Sequence, residues 1–407
     1  MRKAASPVAR LLLISNGHGE DLIGSVLAAR LVGRGFAVSA LPLVGVGEAY
    51  AAAGIPVEIE GVNLPSGGFV RHGLRHLLVD ALHGGFSLTK RQIRALKMAS
   101  RRADLTVCVG DCVLILAARF FGRLPLVFLP TAKSDYINPH WPIEVRLMRR
   151  YCRMVFPRDA LTAASLSRRG VAASFAGNLM MDALEFKGPD LASPAGVRTL
   201  ALLPGSRAEA YGNMGEIADT VLALEEEAGS GECFRHLAAM AGGLDFEGFS
   251  GCLRPRGWLP AAAAPGERER GITGHLVYGA GEAAVRITFI QGRFADVLAA
   301  CDVVLGLAGT ANEQAAGLGK PIVTFPGRGP QITPGFVAAQ SRLLGEAIAV
   351  VEREPRAAAR ELLDILRDDE RRARMARAGR ERMGPPGGAE RIAEEIARFI
   401  KNRRDVG

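Results

Sequence analysis

The sequence predicts an α/β protein built from two doubly wound, Rossmann-like domains that face each other across a cleft. Short apolar segments alternate with segments of helical periodicity, and glycine-containing turns directly follow the apolar segments. Near-continuous apolar strands of this kind belong to parallel sheets that helices cover on both faces. The chain has 407 residues, more than one hydrophobic core usually organises, so two domains are favoured.

The first domain is predicted to span residues 1–185. Apolar residues at helical spacing predict a helix over 21–32, directly after the first strand and its glycine turn. The strands of this domain are expected at 11–15, 36–43, 105–109, 126–129 and 154–156.

The second domain is predicted to span residues 186–387, after a polar, proline-containing linker at 182–197. Residues 230–285 carry no clear periodicity and stay unassigned. The terminal segment 388–407 contains a predicted helix at 390–400 and is expected to pack back on the first domain. Strands of the second domain are expected at 199–203, 287–290 and 302–307.

The composition is that of a folded globular protein. Apolar residues make up 48% of the chain and charged residues 23%, which argues against extended disorder. No apolar run approaches the length of a membrane span, and the run near the amino terminus is too short for a signal peptide. We therefore expect a cytoplasmic protein.

The formal net charge of +9 favours an anionic partner, which could be nucleic acid, a membrane surface or a phosphorylated substrate. Aromatic residues are only 6% of the chain and do not interleave with basic residues, so nucleic acid is not expected. The six cysteines are scattered without paired spacing. They predict reduced, buried thiols, and no metal site is predicted.

The segment 69–102 combines an apolar stripe with many basic residues. Arg71 and Arg75 lie mostly off the stripe, and Arg91 and Arg94 continue the basic character. One interpretation is a helix that lies on an anionic membrane, which predicts a peripheral protein on the inner face of the cell membrane. The other is a core-facing stripe with a solvated basic face.

The stretch 305–331 is predicted to form a complete ligand-binding unit of strand, glycine turn, short helix, strand and glycine loop. The first strand ends at Gly309, and Thr310 is predicted to be the helix N-cap. Unpaired N–H groups and the positive end of the helix dipole favour a diphosphate there. Glu313 has two interpretations, a capping box with Thr310 or a carboxylate that accepts two ribose hydroxyls.

Other loops at predicted strand ends extend this site, because ligands of open α/β sheets collect at the carboxyl ends of strands. Ser206 and Arg207 follow a strand in a glycine loop, and the guanidinium suits phosphate oxygens. Gln331, at the end of a later glycine loop, is a candidate contact to a sugar hydroxyl.

The first-domain turn at 16–21 reads NGHGED and matches only part of the GxGxxG pattern, so it is not a dinucleotide fingerprint. His18, Asp21 and Asp111 are the candidate catalytic residues of this domain, as acids or bases at strand ends. Glu20 and Asp21 also suit the first turn of a helix, where a carboxylate is stabilising, and a lone histidine in a turn often only bonds locally.

The motifs are LLPGSR (202–207), AGTANEQAAGLGKP (308–321), PGRGPQ (326–331), FAGNLMMD (175–182) and SNGHGEDLIG (15–24). Together they resemble the GT-B glycosyltransferases, and most closely the lipid-A-disaccharide synthases and the proteins related to them. The resemblance covers most of the chain apart from about 230–285.

The resemblance implies a GT-B fold and transfer of a sugar, an N-acetylhexosamine, from a UDP-sugar to a lipid-linked or membrane-associated acceptor, without metal or other cofactor. It implies that Ser206 and Arg207 approach the diphosphate and that Glu313 holds the ribose. The substrate-binding residues so implied, with the two glutamines added as candidates, are Ser206, Arg207, Gly309, Thr310, Glu313, Gln314 and Gln331.

The first-domain motif departs from the synthases, which carry a GEASGD-type loop after the first strand. Here the loop reads NGHGED, so Asp21 matches the family's aspartate position while His18 is new. The family's VGIDAPD segment is reduced to Val109-Gly110-Asp111. Two alternatives therefore stay open: a UDP-sugar epimerase of the same fold, and a non-catalytic nucleotide-sugar-binding protein.

Overall fold

The computed structural model describes residues 8–59, 90–122 and 125–405. The chain divides into two compact units, Met1–Ala183 together with Pro386–Gly407, and Leu184–Pro385. The boundaries predicted from the sequence fall after residues 185 and 387. Within the described residues each unit holds one largely parallel sheet, so the prediction of two doubly wound Rossmann-like sheets is confirmed.

The sheet of the first unit has five parallel strands in the order β2-β1-β3-β4-β5. Leu13 lies on β1, an interior strand, and pairs with Ala40 on one side and with Val107 on the other; its side chain is wholly buried. Burial on both faces explains why these strands are apolar throughout. The strands are β1 Arg10–Ser15, β2 Ala37–Pro42, β3 Leu105–Gly110, β4 Leu126–Pro130 and β5 Cys152–Val155.

Helices connect these strands and cover both faces of the sheet. They are α1 His18–Gly33, α2 Glu48–Ala52, α3 Lys90–Arg102, α4 Val113–Phe121, α5 Pro142–Tyr151, α6 Ala160–Arg168 and α7 Leu179–Asp182. One core cluster lies between the sheet and α1, and a second lies between the sheet and α3, α4 and α5.

The sheet of the second unit has eight strands in the order β13-β12-β11-β6-β7-β10-β9-β8. Its pairings are parallel except for β8 with β9 and β9 with β10, which are antiparallel at one edge. The strands are β6 Val197–Leu203, β7 Cys233–Met240, β8 Leu259–Ala262, β9 Ile272–Tyr278, β10 Val285–Gln291, β11 Val303–Gly306, β12 Ile322–Thr324 and β13 Ile348–Val350.

The helices of the second unit are α8 Glu209–Ala228, α9 Phe246–Leu253, α10 Pro265–Glu269, α11 Phe294–Ala300, α12 Thr310–Gly317, α13 Pro334–Leu344, α14 Pro355–Arg367 and α15 Asp369–Met383. The core includes Trp258 and Phe249, both wholly buried. The predicted linker is fastened to this unit, because the N–H groups of Lys187 and Gly188 donate to Asp296 at 3.0 and 3.2 Å.

The chain then returns to the first unit as α16, Gly388–Asp405. Ile392 and Ile396 of this helix are wholly buried in the core that α1 also lines. The Asp182 carboxylate accepts from the backbone N–H groups of Gly387 and, at 2.7 Å, of Ala389. These are donors that the start of a helix leaves unpaired.

None of the described helices is both long enough and apolar enough to cross a membrane.

Candidate functional site

Between β6 and β11 the order in which strands are added to the second sheet reverses, and the carboxyl ends of these two strands mark that place. From β6 the chain adds β7 and β10 on one side, and it then crosses to the other side for β11. Ligands of open α/β sheets bind outside the strand ends at such a switch point, where the two connecting helices diverge. Two of the loops predicted from sequence to bind a ligand therefore lie side by side, after β6 and after β11.

The loop after β6 leads directly into α8. Gly205 has a φ of +115°, a conformation that a residue with a Cβ avoids, and the Asn213 amide donates to the Pro204 carbonyl at 2.9 Å. Ser206 and Arg207 are exposed. The residue before the helix is Ala208, which has no polar side chain that could cap the first N–H groups.

Arg207 and Gln331 come together in the structure. With the amide oxygen of Gln331 turned toward the guanidinium, that oxygen accepts from Nε at 2.9 Å and also from Nη1 of Arg207. The glycine loop that carries Gln331 is itself anchored, because Arg328 pairs with Glu216 at 2.8 Å. The guanidinium is thus positioned at the switch point, while its side chain stays exposed to solvent.

The loop after β11 corrects one prediction. Gly309 is the N-cap of α12 and Thr310 is its first helical residue, so the prediction of a Thr310 cap is wrong. Glu313 is then the fourth helical residue, one position beyond that of the acid in a capping box. Because glycine has no side chain, the first N–H groups of α12 receive no cap from the residue before the helix.

A buried amide pair fixes the backbone between β11 and α12. Asn312 donates to the Gly306 carbonyl at 3.1 Å and to the Gln340 side chain at 3.0 Å. Gln340 in turn donates to the Gly309 carbonyl at 3.0 Å. Sequence reasoning missed both residues, although the asparagine lies inside the motif that it singled out. Gln314, predicted to bind substrate, is only 7% exposed.

The first sheet has its own switch point between β1 and β3, since β2 lies on one side of β1 and β3 lies on the other. His18 and Asp21 follow β1, and Asp111 follows β3. The topology therefore brings the predicted catalytic residues of this unit to one edge of the sheet. Their surroundings differ strongly.

Asp111 is half-buried at the end of β3. Its Oδ1 accepts from the Val113 N–H at 2.8 Å. Burial raises the pKa of this carboxyl, the bonds to Val113 and Asn16 oppose the rise, and the Glu20 carboxylate adds to it.

His18 is the first residue of α1 and is exposed. Its ring lies against Gly45, where a Cβ would come within 2.7 Å of Cε1. Glu20 is buried, and its Oε1 accepts from the Thr131 hydroxyl at 3.0 Å, which ties the start of α1 to the end of β4.

Asp21 lies beneath this edge and is only 2% exposed. Its Oδ1 accepts from the Ser15 hydroxyl at 2.5 Å, and the Tyr50 hydroxyl donates to Ser15 at 3.1 Å. Burial raises the pKa of Asp21 to about 7, against a smaller lowering by the Ser15 bond. This carboxyl braces β1 against α1 and α2, and it is poorly placed to reach a substrate.

The raised pKa of Asp21 predicts a specific loss of stability at high pH. An unfolded Asp21 ionises near pH 4 and the folded one near pH 7, so the folded state binds more protons between these values and its stability falls as pH rises through that window. The wild type should lose free energy of unfolding as pH rises through this window. We expect Asp21→Asn to make that loss smaller by roughly 2–4 kcal/mol. Urea unfolding of the wild type and the variant at pH 4.5 and pH 8 measures this difference. If the stability of the variant relative to the wild type is no greater at pH 8 than at pH 4.5, the raised pKa of Asp21 is contradicted.

A cluster of arginines surrounds a cavity of about 530 Å³ beside α5. None of Arg146, Arg149 and Arg150 forms an ion pair with a described residue, and Arg169 donates to the His140 carbonyl at 2.8 Å. We call these four residues the arginine cluster. Four guanidinium groups around one cavity create a site of positive potential that favours an anion.

Only part of the predicted basic segment can be placed. Arg71 and Arg75 lie outside the described residues, whereas Arg91 and Arg94 are exposed on α3. The apolar side of α3 faces the core through Leu96, which is wholly buried. The predicted apolar stripe at 70–82 lies outside the described residues, so both interpretations of that stripe stay predictions.

Solved structures place the chain among known folds. The UDP-GlcNAc 2-epimerase from Neisseria meningitidis bound to UDP-GlcNAc matches with a TM-score of 0.54 and 13% identity, over 97% of this chain and 100% of that one. MurG from Acinetobacter baumannii matches with a TM-score of 0.57 and 13% identity, over 96% and 99%. CalG4, the calicheamicin glycosyltransferase, matches with a TM-score of 0.59 and 16% identity, over 97% and 99%.

No protein-family model and no curated protein matches the sequence. At identities of 13–16% the structural likeness establishes the fold and nothing finer. The chain has the GT-B fold, which these glycosyltransferases and the epimerase share.

Proposed function

We propose that the protein is an inverting glycosyltransferase that moves a sugar, an N-acetylhexosamine, from a UDP-sugar to a lipid-linked or membrane-associated acceptor. The observation that carries the proposal is the switch point of the second sheet. There two helix N-termini lacking a side-chain cap and the Arg207–Gln331 pair converge on one place. Such a place suits a nucleotide diphosphate.

The donor site follows from these contacts. The diphosphate oxygens would be bound by the first N–H groups of α12, which begin at Thr310 directly after Gly309, and by the Arg207 guanidinium. Ser206 would lie beside them. As the bond from the anomeric carbon to the diphosphate breaks, negative charge grows on the departing UDP, and these fixed donors stabilise it. Glu313 would accept from the ribose hydroxyls.

Glu313→Gln tests the ribose assignment. We expect UDP affinity to fall about tenfold, because a neutral amide accepts from the ribose hydroxyls more weakly than a carboxylate does, while the melting temperature stays unchanged. Isothermal titration with UDP, and separately with pyrophosphate, which has no ribose, measures the effect. Pyrophosphate affinity serves as the control and should not change; equal affinity of the variant and the wild type for UDP would remove Glu313 from the site.

Asp111 is our choice for the base that deprotonates the acceptor hydroxyl. It lies at the switch point of the first sheet, the residue is partly exposed, and one carboxylate oxygen is oriented by the Val113 N–H. His18 is the second candidate because it is exposed at the same edge. Asp21 is assigned a positioning role, since it is buried under the edge.

The arginine cluster supports the proposal that the protein binds an anionic membrane surface and meets its acceptor there. Arg146 and Arg150 lie three and seven residues after Ile143, on one side of α5, and Ile143 is 51% exposed. Cationic side chains around an exposed apolar residue suit peripheral binding to anionic lipid. A cytoplasmic protein that binds the inner face of the membrane would use this face of the first unit.

Charge reversal of the arginine cluster tests this assignment. We expect Arg146→Glu with Arg149→Glu to reduce co-sedimentation with phosphatidylglycerol vesicles at least tenfold, since each basic side chain contributes about 1 kcal/mol near an anionic surface. Binding of the wild type should fall as salt rises. Arg374→Glu with Arg377→Glu, on exposed positions of α15, is the charge-matched control. If both double variants sediment like the wild type, the cluster is not the membrane site.

A UDP-sugar epimerase is the second candidate, because structures of UDP-GlcNAc 2-epimerases match this chain as well as those of glycosyltransferases do. One experiment separates the candidates. The protein is incubated with a panel of UDP-sugars, with and without lipid extract, and products are resolved by chromatography. Release of UDP that requires lipid supports the transferase, and an epimeric UDP-sugar formed without lipid supports the epimerase. A thermal shift without turnover in either arm would favour a non-catalytic binding protein.

A further inference from the structure

Three side chains of metal-binding type converge beside the end of β3, in the first unit. They are Cys112, directly before α4, and His140 and Glu144, at the start of α5. The thiol sulfur, a ring nitrogen and a carboxylate oxygen all lie within 4.8 Å of one another. Neither the spacing of the cysteines nor any short motif predicts this group.

His140 is the unusual member. It is 4% exposed, and neither ring nitrogen has a hydrogen-bond partner among the described residues. Glu144 lies beside it, with Oε2 3.4 Å from Nδ1, beyond the usual length of a hydrogen bond. A buried imidazole without partners is costly, so such a residue in a folded protein calls for a missing ligand.

The distances suit a metal ion. Two ligands on one tetrahedral zinc, with metal–nitrogen and metal–oxygen bonds near 2.0–2.2 Å, are separated by about 3.4 Å. The separation of His140 Nδ1 and Glu144 Oε2 is 3.4 Å. The sulfur of Cys112, which is 8% exposed, lies within 4.8 Å of both other ligand atoms, so a shift of at most about an ångström would complete the set.

We propose that Cys112, His140 and Glu144 form a binding site for a divalent transition metal, with Zn²⁺ as the best match. Thiolate, imidazole and carboxylate are the three ligand types that zinc takes from proteins, and three protein ligands leave a fourth position open to water or a substrate oxygen. The metal joins the end of β3 to the start of α5. This proposal departs from the expectation of a metal-free protein.

Lys133 competes with the metal for Glu144 Oε2, which also accepts from the Trp141 N–H at 2.8 Å. Its Nζ donates to Glu144 Oε2 at 2.7 Å and lies 3.6 Å from the centre of the Trp141 ring. Since two cations cannot share this carboxylate oxygen favourably, metal binding displaces the ammonium group or uses Glu144 Oε1. Lys133 is partly exposed and can move toward solvent.

Cobalt titration of the full-length protein tests the site. After treatment with a chelator, we expect the protein to bind one equivalent of Co²⁺ and to show thiolate-to-cobalt charge-transfer absorption, which Zn²⁺ then abolishes. Cys112→Ser should lose the charge-transfer band, and His140→Gln should weaken binding at least tenfold. Cys252→Ser, an exposed cysteine of the second unit, is the matched control and should keep the band.

Lys133→Met provides a second test that does not remove a ligand. We expect it to bind Co²⁺ about tenfold more tightly than the wild type, because the competing charge is gone. Circular dichroism establishes that each variant is folded. If neither the wild type nor Lys133→Met retains cobalt, or if the charge-transfer band persists in folded Cys112→Ser, the site does not exist as proposed.

Discussion

We expect Asp111→Asn to lower the rate of the proposed sugar transfer by about 10²- to 10⁴-fold, the range that removal of a general base typically gives. The amide keeps the size of the side chain and can still accept from the Val113 N–H, but it cannot take the proton of the acceptor hydroxyl. UDP release in the presence of lipid extract, measured at saturating donor, gives the rate. The affinity for UDP should not change, because the diphosphate contacts proposed here all lie in the second unit.

The control for this variant lies on the same strand. Asp104 is exposed at the opposite, amino end of β3, where its carboxylate accepts from the Arg10 N–H at 2.8 Å. Asp104→Asn makes the same chemical change away from the switch point and should leave transfer intact. Equal rates for Asp111→Asn and the wild type would rule out Asp111 as the base and shift the assignment to His18.

Arg207→Ala is expected to weaken UDP binding by roughly 1.5–3 kcal/mol, about ten- to a hundredfold, because a charge-assisted hydrogen bond to phosphate is lost. Gln331→Ala removes only the group that orients the guanidinium and should cost less, about 0.5–1.5 kcal/mol. Isothermal titration with UDP measures both. Since Arg207 is exposed, its removal should not alter the melting temperature.

An arginine elsewhere in the same unit supplies the comparison. Arg374 is exposed on α15, and Arg374→Ala changes the net charge by the same amount. If Arg374→Ala weakens UDP as much as Arg207→Ala does, the effect is one of overall charge, and the switch point of the second sheet is not the diphosphate site.

The doubly wound architecture was predictable because parallel strands buried on both faces leave a strong record in the sequence. The predicted strand at 105–109 is observed as Leu105–Gly110, and the predicted helix at 21–32 lies within the observed helix His18–Gly33. Residues 230–285 stayed unassigned in the prediction for a physical reason. β8 is a short, largely exposed edge strand of sequence LPAA, paired antiparallel to β9, so it shows neither the apolar run of a central strand nor clear alternation.

The sequence could predict which site residues follow the ends of strands. It could not predict how their side chains are oriented or which of them are in contact. Arg207 and Gln331 were both singled out, but only the fold brings them into contact. Neighbouring acids look alike in sequence, yet the turn of α1 places Asp21 beneath the sheet edge against Ser15. The cap was misassigned by one residue because Gly309 and Thr310 are both acceptable at that position.

The position of α16 has a consequence for the order in which the protein is completed during synthesis. The first unit needs residues from both ends of the chain, whereas Leu184–Pro385 is continuous. On the ribosome the second unit is therefore complete while the first still lacks Ile392 and Ile396, which fill part of its core. Until these residues emerge, the apolar surface of α1 has no cover from α16, so the first unit is finished only after the second.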